Sequence, residues 1–203
     1  LVIQPLLTGN VTWDWALECF ADRNRQKAIE KAAVLLEEQP LPRKGLCALP
    51  WLNRPNPIRP GLMGGACLAG MGPDTGTAEM LRAVAAGMCL EFERVLRFVK
   101  QHRIADRLVL TGGASKSRHF QGLLAALFDP LSVFRIDEED AMGARGCLYA
   151  FDTPASRLAV SSVPPAANLD REAVEAARAL YADAYEKIYA GVVAGLPWKS
   201  EAG

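Results

Sequence analysis

Apolar positions recur along the chain with two periods, and the two alternate. The clearest is the segment 77–101, "TAEMLRAVAAGMCLEFERVLRFVKQ", where Leu81, Val84, Met88, Phe92, Val95 and Val99 fall on one face at three- and four-residue steps. That spacing predicts a long helix with a core-facing stripe. Upstream, "LVIQPLL" predicts a short strand over 1–8, confined to an edge or an end by Pro5. "TGNVTWDWALECF" predicts a turn capped by Asn10 and then a helix. "DRNRQKAIEKAAVLLEE" continues that helical periodicity with a charged outer face, and "QPLPRKG" closes it as a loop. Two short apolar runs, "LCALPWLN" and "GACLAG", predict strands joined by the proline-rich "RPNPIRPGLMG".

Past residue 101 the chain alternates more regularly. "RLVLT" predicts a strand, 116–128 a helix, "SVFRI" a strand and "EEDAMGARGCLYAF" a helix. "DTPASRLAVSSVPPAANLD" predicts an irregular link, leading to a last helix through Val174, Ala177, Tyr181, Ala184 and Ile188. Strand and helix in alternation predict an α/β layered fold.

Composition narrows the class. With 203 residues, 50% of them hydrophobic and 23% charged, the chain can bury a substantial core as one domain or one lobe of a larger protein. The formal net charge of zero gives no electrostatic reason to expect a nucleic acid or a membrane as partner. Cys19, Cys47, Cys67, Cys89 and Cys147 lie far apart, with no CxxC pair and no nearby histidines, which argues against zinc. They are expected to be reduced and mostly buried thiols of a cytoplasmic protein. The opening "LVIQPLL" has no initiator methionine, so further chain is expected upstream.

The candidate chemistry lies at "LVLTGGASKS", 108–117, an apolar run ending in a glycine pair. Short-chain reductases use TGxxxGxG at such a turn, but Lys116 and Arg118 stand where glycines are required. Tyr181, Tyr185 and Tyr189 also lack a lysine four positions on, so the dinucleotide reading fails. A glycine pair at a strand end lets the chain lie flat beneath a purine or ribose, because no Cβ blocks the approach. The helix that follows then points backbone amides at the ligand, and Ser117 can hydrogen-bond the base or sugar. A structural turn with a serine cap accounts for the same letters, so the surroundings have to decide.

"LVLTGGASKSRHFQGLLAALFDPLSVFRIDEEDAMGARGCLYAF" resembles the C-terminal domain of the FGGY carbohydrate kinases, the family of xylulokinase, ribulokinase, gluconokinase and glycerol kinase. Gly112, Gly113, Ser115, Lys116 and Ser117 match the family's GGG-S/A-K-S turn without a gap. Leu123, Leu124 and Ala125 match its following helix, and Glu138, Ala141, Gly143 and Ala144 its E-x-x-A-L-G-A motif. "LPWLNRPNP" is similar to the family's "PYLNGERTP", "GGACLAG" to "RGAFFGL", and "TAEMLRAVAAGMCLEFERVL" to "RAHLYRAVLEGVAFELRRIL". "TGNVTWDW" resembles "GGSALDWL", so the likeness runs in order over roughly residues 6–152.

The resemblance implies the C-terminal, ATP-binding lobe of an actin-like ATPase fold of the ribonuclease H type, a mixed sheet flanked by helices and truncated at its N-terminal edge. All of 1–203 would form this partial domain, without the sugar-binding catalytic lobe. Such kinases close a cleft over sugar and ATP, with an aspartate as general base and Mg²⁺ on the phosphates. Neither that aspartate nor the family's GTSG-like phosphate loop has a counterpart in this chain, and Asp14, Asp106, Asp137 and Asp140 are not assigned as the base. The isolated chain is therefore expected to be inactive.

The nucleotide residues implied are Gly113 and Ser117, with Gly112 and Ala114 shaping the turn and Asn10 and Asp14 on the helix covering the other face of the base. Expected partners are ATP or ADP, a sugar bound mainly by the other lobe, and a second copy or partner chain over the sheet edge left open. Several positions depart from the family: Ala114 for the third glycine (as in glycerol kinases), Phe120 for tryptophan, Arg54 and Pro55 for glycine and glutamate. Gly122 and Ala126 replace glutamine and aspartate. Gly122 is expected to weaken its helix by about 1 kcal/mol against alanine. These departures also leave room for a non-catalytic binding module on the same fold.

Overall fold

The computed structural model describes residues 9–43, 45–52, 65–102, 104–112, 116–136 and 159–190. The expected strand at 1–8 and the expected helix at 138–151 lie outside the described residues, as do Gly113 and Ala114.

The chain opens with α1 (Gly9–Phe20), which begins one residue before Asn10, so Asn10 lies inside the first turn and is not its cap. The helical run expected through 22–38 is broken. Asp22 accepts a hydrogen bond from the Asn24 amide at 2.8 Å, and the Asn24 side chain accepts from the Lys27 amide at 3.2 Å. Asn24 is thus the true N-cap, starting a separate helix, α2 (Arg25–Glu38). Next come β1 (Cys47–Leu49) and β2 (Cys67–Ala69), antiparallel with Cys47 opposite Ala69 and Leu49 opposite Cys67.

The long helix α3 (Thr77–Gln101) has the bounds its periodicity predicts, but its middle is buried on more than one face. On one side Leu81, Ala83 and Val84 join Ala16 and Leu17 of α1, Ala28 and Ala32 of α2, and Ala48 of β1. On another, Ala85, Ala86, Cys89 and Leu90 meet the core of the chain's second half. Arg82 fastens α2 to α3. Its Nε and Nη2 donate to the Leu35 carbonyl at 3.2 and 3.0 Å, its Nε also to the Gln39 carbonyl at 3.1 Å, and its Nη1 to Glu79 at 2.7 Å. The guanidinium thus caps the C-terminal end of α2, where the Leu35 carbonyl also accepts from the Gln39 amide at 3.3 Å.

The second half is built on β3 (Arg107–Leu110), α4 (Arg118–Phe128) and β4 (Ser132–Ile136), with β3 and β4 parallel and Leu108 opposite Val133. A third strand, β5 (Val160–Ser162), pairs antiparallel with β4, placing Phe134 opposite Ser162. It lies within the stretch expected to be an irregular link. The sheet is therefore mixed, in the order β3-β4-β5. The last helix, α5 (Arg171–Ala184), is capped by Asp170 and runs into a π-helical turn, Tyr185–Ala190. Leu110, Phe120, Leu123, Leu127, Phe128, Val133, Val163, Val174, Tyr181 and Tyr185 share one core. Of the described cysteines, Cys47 and Cys89 are buried, Cys67 is half-buried and Cys19 is exposed; all four are free thiols. Burial pushes the Cys47 thiol up to about 12.

Candidate nucleotide-binding site

The glycine turn sits where β3 hands over to α4. Gly112 has φ +83°, a left-handed conformation that residues with a Cβ rarely adopt, and no atom lies within 4 Å of where its Cβ would be. Ser117 takes the N-cap position of α4 in extended geometry, and its carbonyl accepts from the Gln121 amide at 3.0 Å. Its hydroxyl makes no capping hydrogen bond. A serine at an N-cap ordinarily turns its oxygen onto its own helix. This one leaves both the hydroxyl and the first-turn amides for something else, and those amides have no intrahelical acceptor.

Why α4 begins at Arg118 follows from its apolar face: His119, Phe120, Leu123, Leu124, Leu127 and Phe128 are all buried, and Lys116 and Arg118 stay exposed. Phe120 meets Trp13 of α1 edge to face, with ring centroids 5.2 Å apart at 85°. That contact seats α1 against the first turn of α4. Asp14, the residue after Trp13, lies on the same helix. It pairs with Arg25 at 3.1 Å, and both side chains are solvent-exposed. The described residues thus place Gly112 and Ser117 between β3 and α4 and join α1 to α4 through Trp13 and Phe120. The Asn10 backbone lies in α1, and its side chain is outside the described residues.

Two features of this region were not legible in the sequence. Trp13 is the residue that joins the two helices, and its only signal is its place in "TWDW". His119 is 9% exposed, with both ring nitrogens buried and without a hydrogen-bond partner. Burial lowers its pKa from 6.5 to about 4, opposed weakly by the nearby Leu36 backbone, so the ring is neutral at ordinary pH. Among the described residues no three His, Cys, Asp or Glu side chains cluster so as to hold a metal. The arrangement suits an adenosine-like or anionic ligand held by backbone and hydroxyl.

A strand, a glycine turn and a helix N-terminus on a mixed sheet define the class: an α/β lobe of the actin-like ATPase fold. Residues 6–150 match the model of the FGGY family of carbohydrate kinases, C-terminal domain, and the chain belongs to that family. No curated protein sequence matches it. Among solved structures, xylulose kinase from Rhodospirillum rubrum aligns with TM-score 0.62 at 18% identity, over 89% of this chain and 37% of that one. Gluconate kinase from Lactobacillus acidophilus aligns with TM-score 0.67 at 16% identity, over 90% and 39%. Xylulose kinase from Bifidobacterium adolescentis aligns with TM-score 0.57 at 21% identity, over 87% and 34%. The chain thus spans well under half the length of the kinases it resembles in fold.

Proposed function

We propose that this chain is the ATP-binding lobe of a carbohydrate kinase that, in the complete protein, transfers the γ-phosphate of ATP to a sugar or polyol hydroxyl. The observation that carries the reading is the passage from β3 to α4, with the positive φ of Gly112 and a Ser117 hydroxyl that does not cap its helix, on a chain whose residues 6–150 match the family. The base and ribose would rest against Gly112, and Gly113 and Ala114, next in the sequence, are assigned to the same contact. Ser117 donates or accepts at the purine or sugar, and the first-turn amides of α4 favour negative charge. Asn10 and Asp14, on the helix that Trp13 seats, border the other side of the base.

The residues of this chain bind and orient the nucleotide. Mg²⁺ would neutralise charge on the phosphates, but the described residues supply no ligand set for it and no step is assigned to the ion. The general base and phosphate loop that family membership implies have no counterpart among the 203 residues, so transfer belongs to the complete protein and the chain alone binds without turning over. A cytoplasmic location agrees with this role. No helix among the described residues is long and apolar enough to cross a membrane.

The test is calorimetry with ATP and ADP on the complete polypeptide, comparing wild type with Gly113→Val and Ser117→Ala. Gly113→Val is expected to weaken binding at least tenfold and Ser117→Ala about three- to tenfold, the loss of one hydrogen bond. Unchanged affinity in both variants removes the assignment. A sugar and polyol panel on the same protein then names the acceptor.

A further inference from the structure

α4 is tied at three heights. Trp13 meets its first turn at Phe120. At mid-length the Gly122 carbonyl accepts from the Ala166 amide at 3.3 Å, in a contact so close that a Cβ on Gly122 would lie 2.9 Å from the Ala166 Cβ. In the last turn, the Leu127 carbonyl accepts from Arg178 Nη2 at 2.8 Å. Arg178 belongs to α5 and is itself anchored: its Nε stands 3.5 Å from Oε1 of the buried Glu93 on α3, and its Nη1 pairs with Glu175. Glu93 is held from its own helix by Arg97 Nη2 at 3.1 Å.

From this arrangement we infer that Arg178 is a positioning residue for the nucleotide site: it fixes the axial position of α4 from the end opposite the ligand. The inference rests on the reading of the α4 N-terminus as that site. Leu127 is ten residues from Ser117, about 15 Å at the helical rise, so Arg178 touches no nucleotide. A helix transmits displacement along its axis almost unchanged. Hydrogen bonds weaken steeply with small errors in distance and angle, so a slide of a few tenths of an ångström degrades every first-turn donor together. The guanidinium is suited to this task because its fork reaches a carbonyl of α4 and a carboxylate of α3 at once. It also places positive charge at the C-terminal end of α4, where a helix favours it.

The experiment uses the complete polypeptide. In folded Arg178→Met, the ATP dissociation constant and nucleotide KM are expected to rise about three- to tenfold, with the sugar KM and the kcat at saturating ATP within twofold of wild type. Arg178→Lys, which keeps the charge and one donor, is expected to recover most of the loss. A merely structural arginine would lower the melting temperature without separating the two KM values. Nucleotide affinity within twofold of wild type in folded Arg178→Met overturns the inference. Should that variant not fold, Glu93→Gln, which loosens the anchor but keeps its shape, must still raise the ATP dissociation constant about twofold, and an unchanged value overturns it. A loss in Ser117→Ala with none in the Arg178 or Glu93 variants sinks only this inference. Absence of nucleotide binding by the wild type sinks the site reading and this with it.

Discussion

Ser117 and His119 are two residues apart, and their environments have opposite consequences for stability. Because the Ser117 hydroxyl caps nothing, Ser117→Ala is expected to cost under about 0.5 kcal/mol in urea unfolding, against about 1 for an ordinary N-cap serine. His119 does the reverse. The unfolded chain takes up the imidazole proton near pH 6.5 and the folded chain only near pH 4. Stability therefore falls as pH drops through that window, by roughly 3 kcal/mol in all, and levels off below it. Thermal melts of wild type and His119→Leu between pH 7 and 4 check this: the variant should lose most of that slope, and parallel curves would count against a neutral buried ring.

α4 shows how far local sequence can be trusted. Its glycine reads as a defect worth about 1 kcal/mol against alanine. The packing reverses that. A Cβ at Gly122 would lie 3.0 Å from the Ala166 amide nitrogen, and the crowding costs about 1–3 kcal/mol. Gly122→Ala is thus expected to destabilise by about 1 kcal/mol in denaturant titration, and a more stable variant would contradict the contact. The reason for the glycine lies in the loop after β5, which no helical periodicity reveals. The strand β5 escaped for a similar cause: "VSS" has no apolar alternation and is extended because β4 offers it an edge. The break before α2 turned on Asn24 as a cap inside a polar run that fits either state. By contrast α3 was legible because burial imposes a helical period on it, and β1, β2 and β3 because each is a short apolar run between turn residues. Of the candidate site, the strand-to-helix passage at Gly112 and Ser117 was legible from strand-then-glycine order, but the Trp13–Phe120 contact was not, since only the tertiary fold brings those rings together.

At the scale of the molecule, the part that matches the family does not complete its own core. The match ends at 150, yet Val163, Val174, Tyr181 and Tyr185 are buried with α3 and α4. The Tyr181 hydroxyl donates to the fully buried Glu91 at 2.7 Å, Arg94 holds the same carboxylate at 2.6 and 2.8 Å, and the Arg94 guanidinium lies 3.8 Å over the Tyr185 ring. Burial raises the Glu91 pKa, and these partners oppose it. Each buried side chain contributes about 1.5–3 kcal/mol, so four of them rival the net stability of a domain. Ending the chain after residue 150 is therefore expected to yield a protein without a cooperative melt and rapidly cut by protease. A folded, protease-resistant product would show that α5 is dispensable.

One feature sets how the whole would move. α3 belongs to both cores, and Trp13 and Met88 pack against each, so the two halves of the lobe share a keel and have no seam along which to bend. If the proposed kinase closes over its substrate, this lobe would travel bodily, hinged outside it, with the β3–α4 turn as cargo.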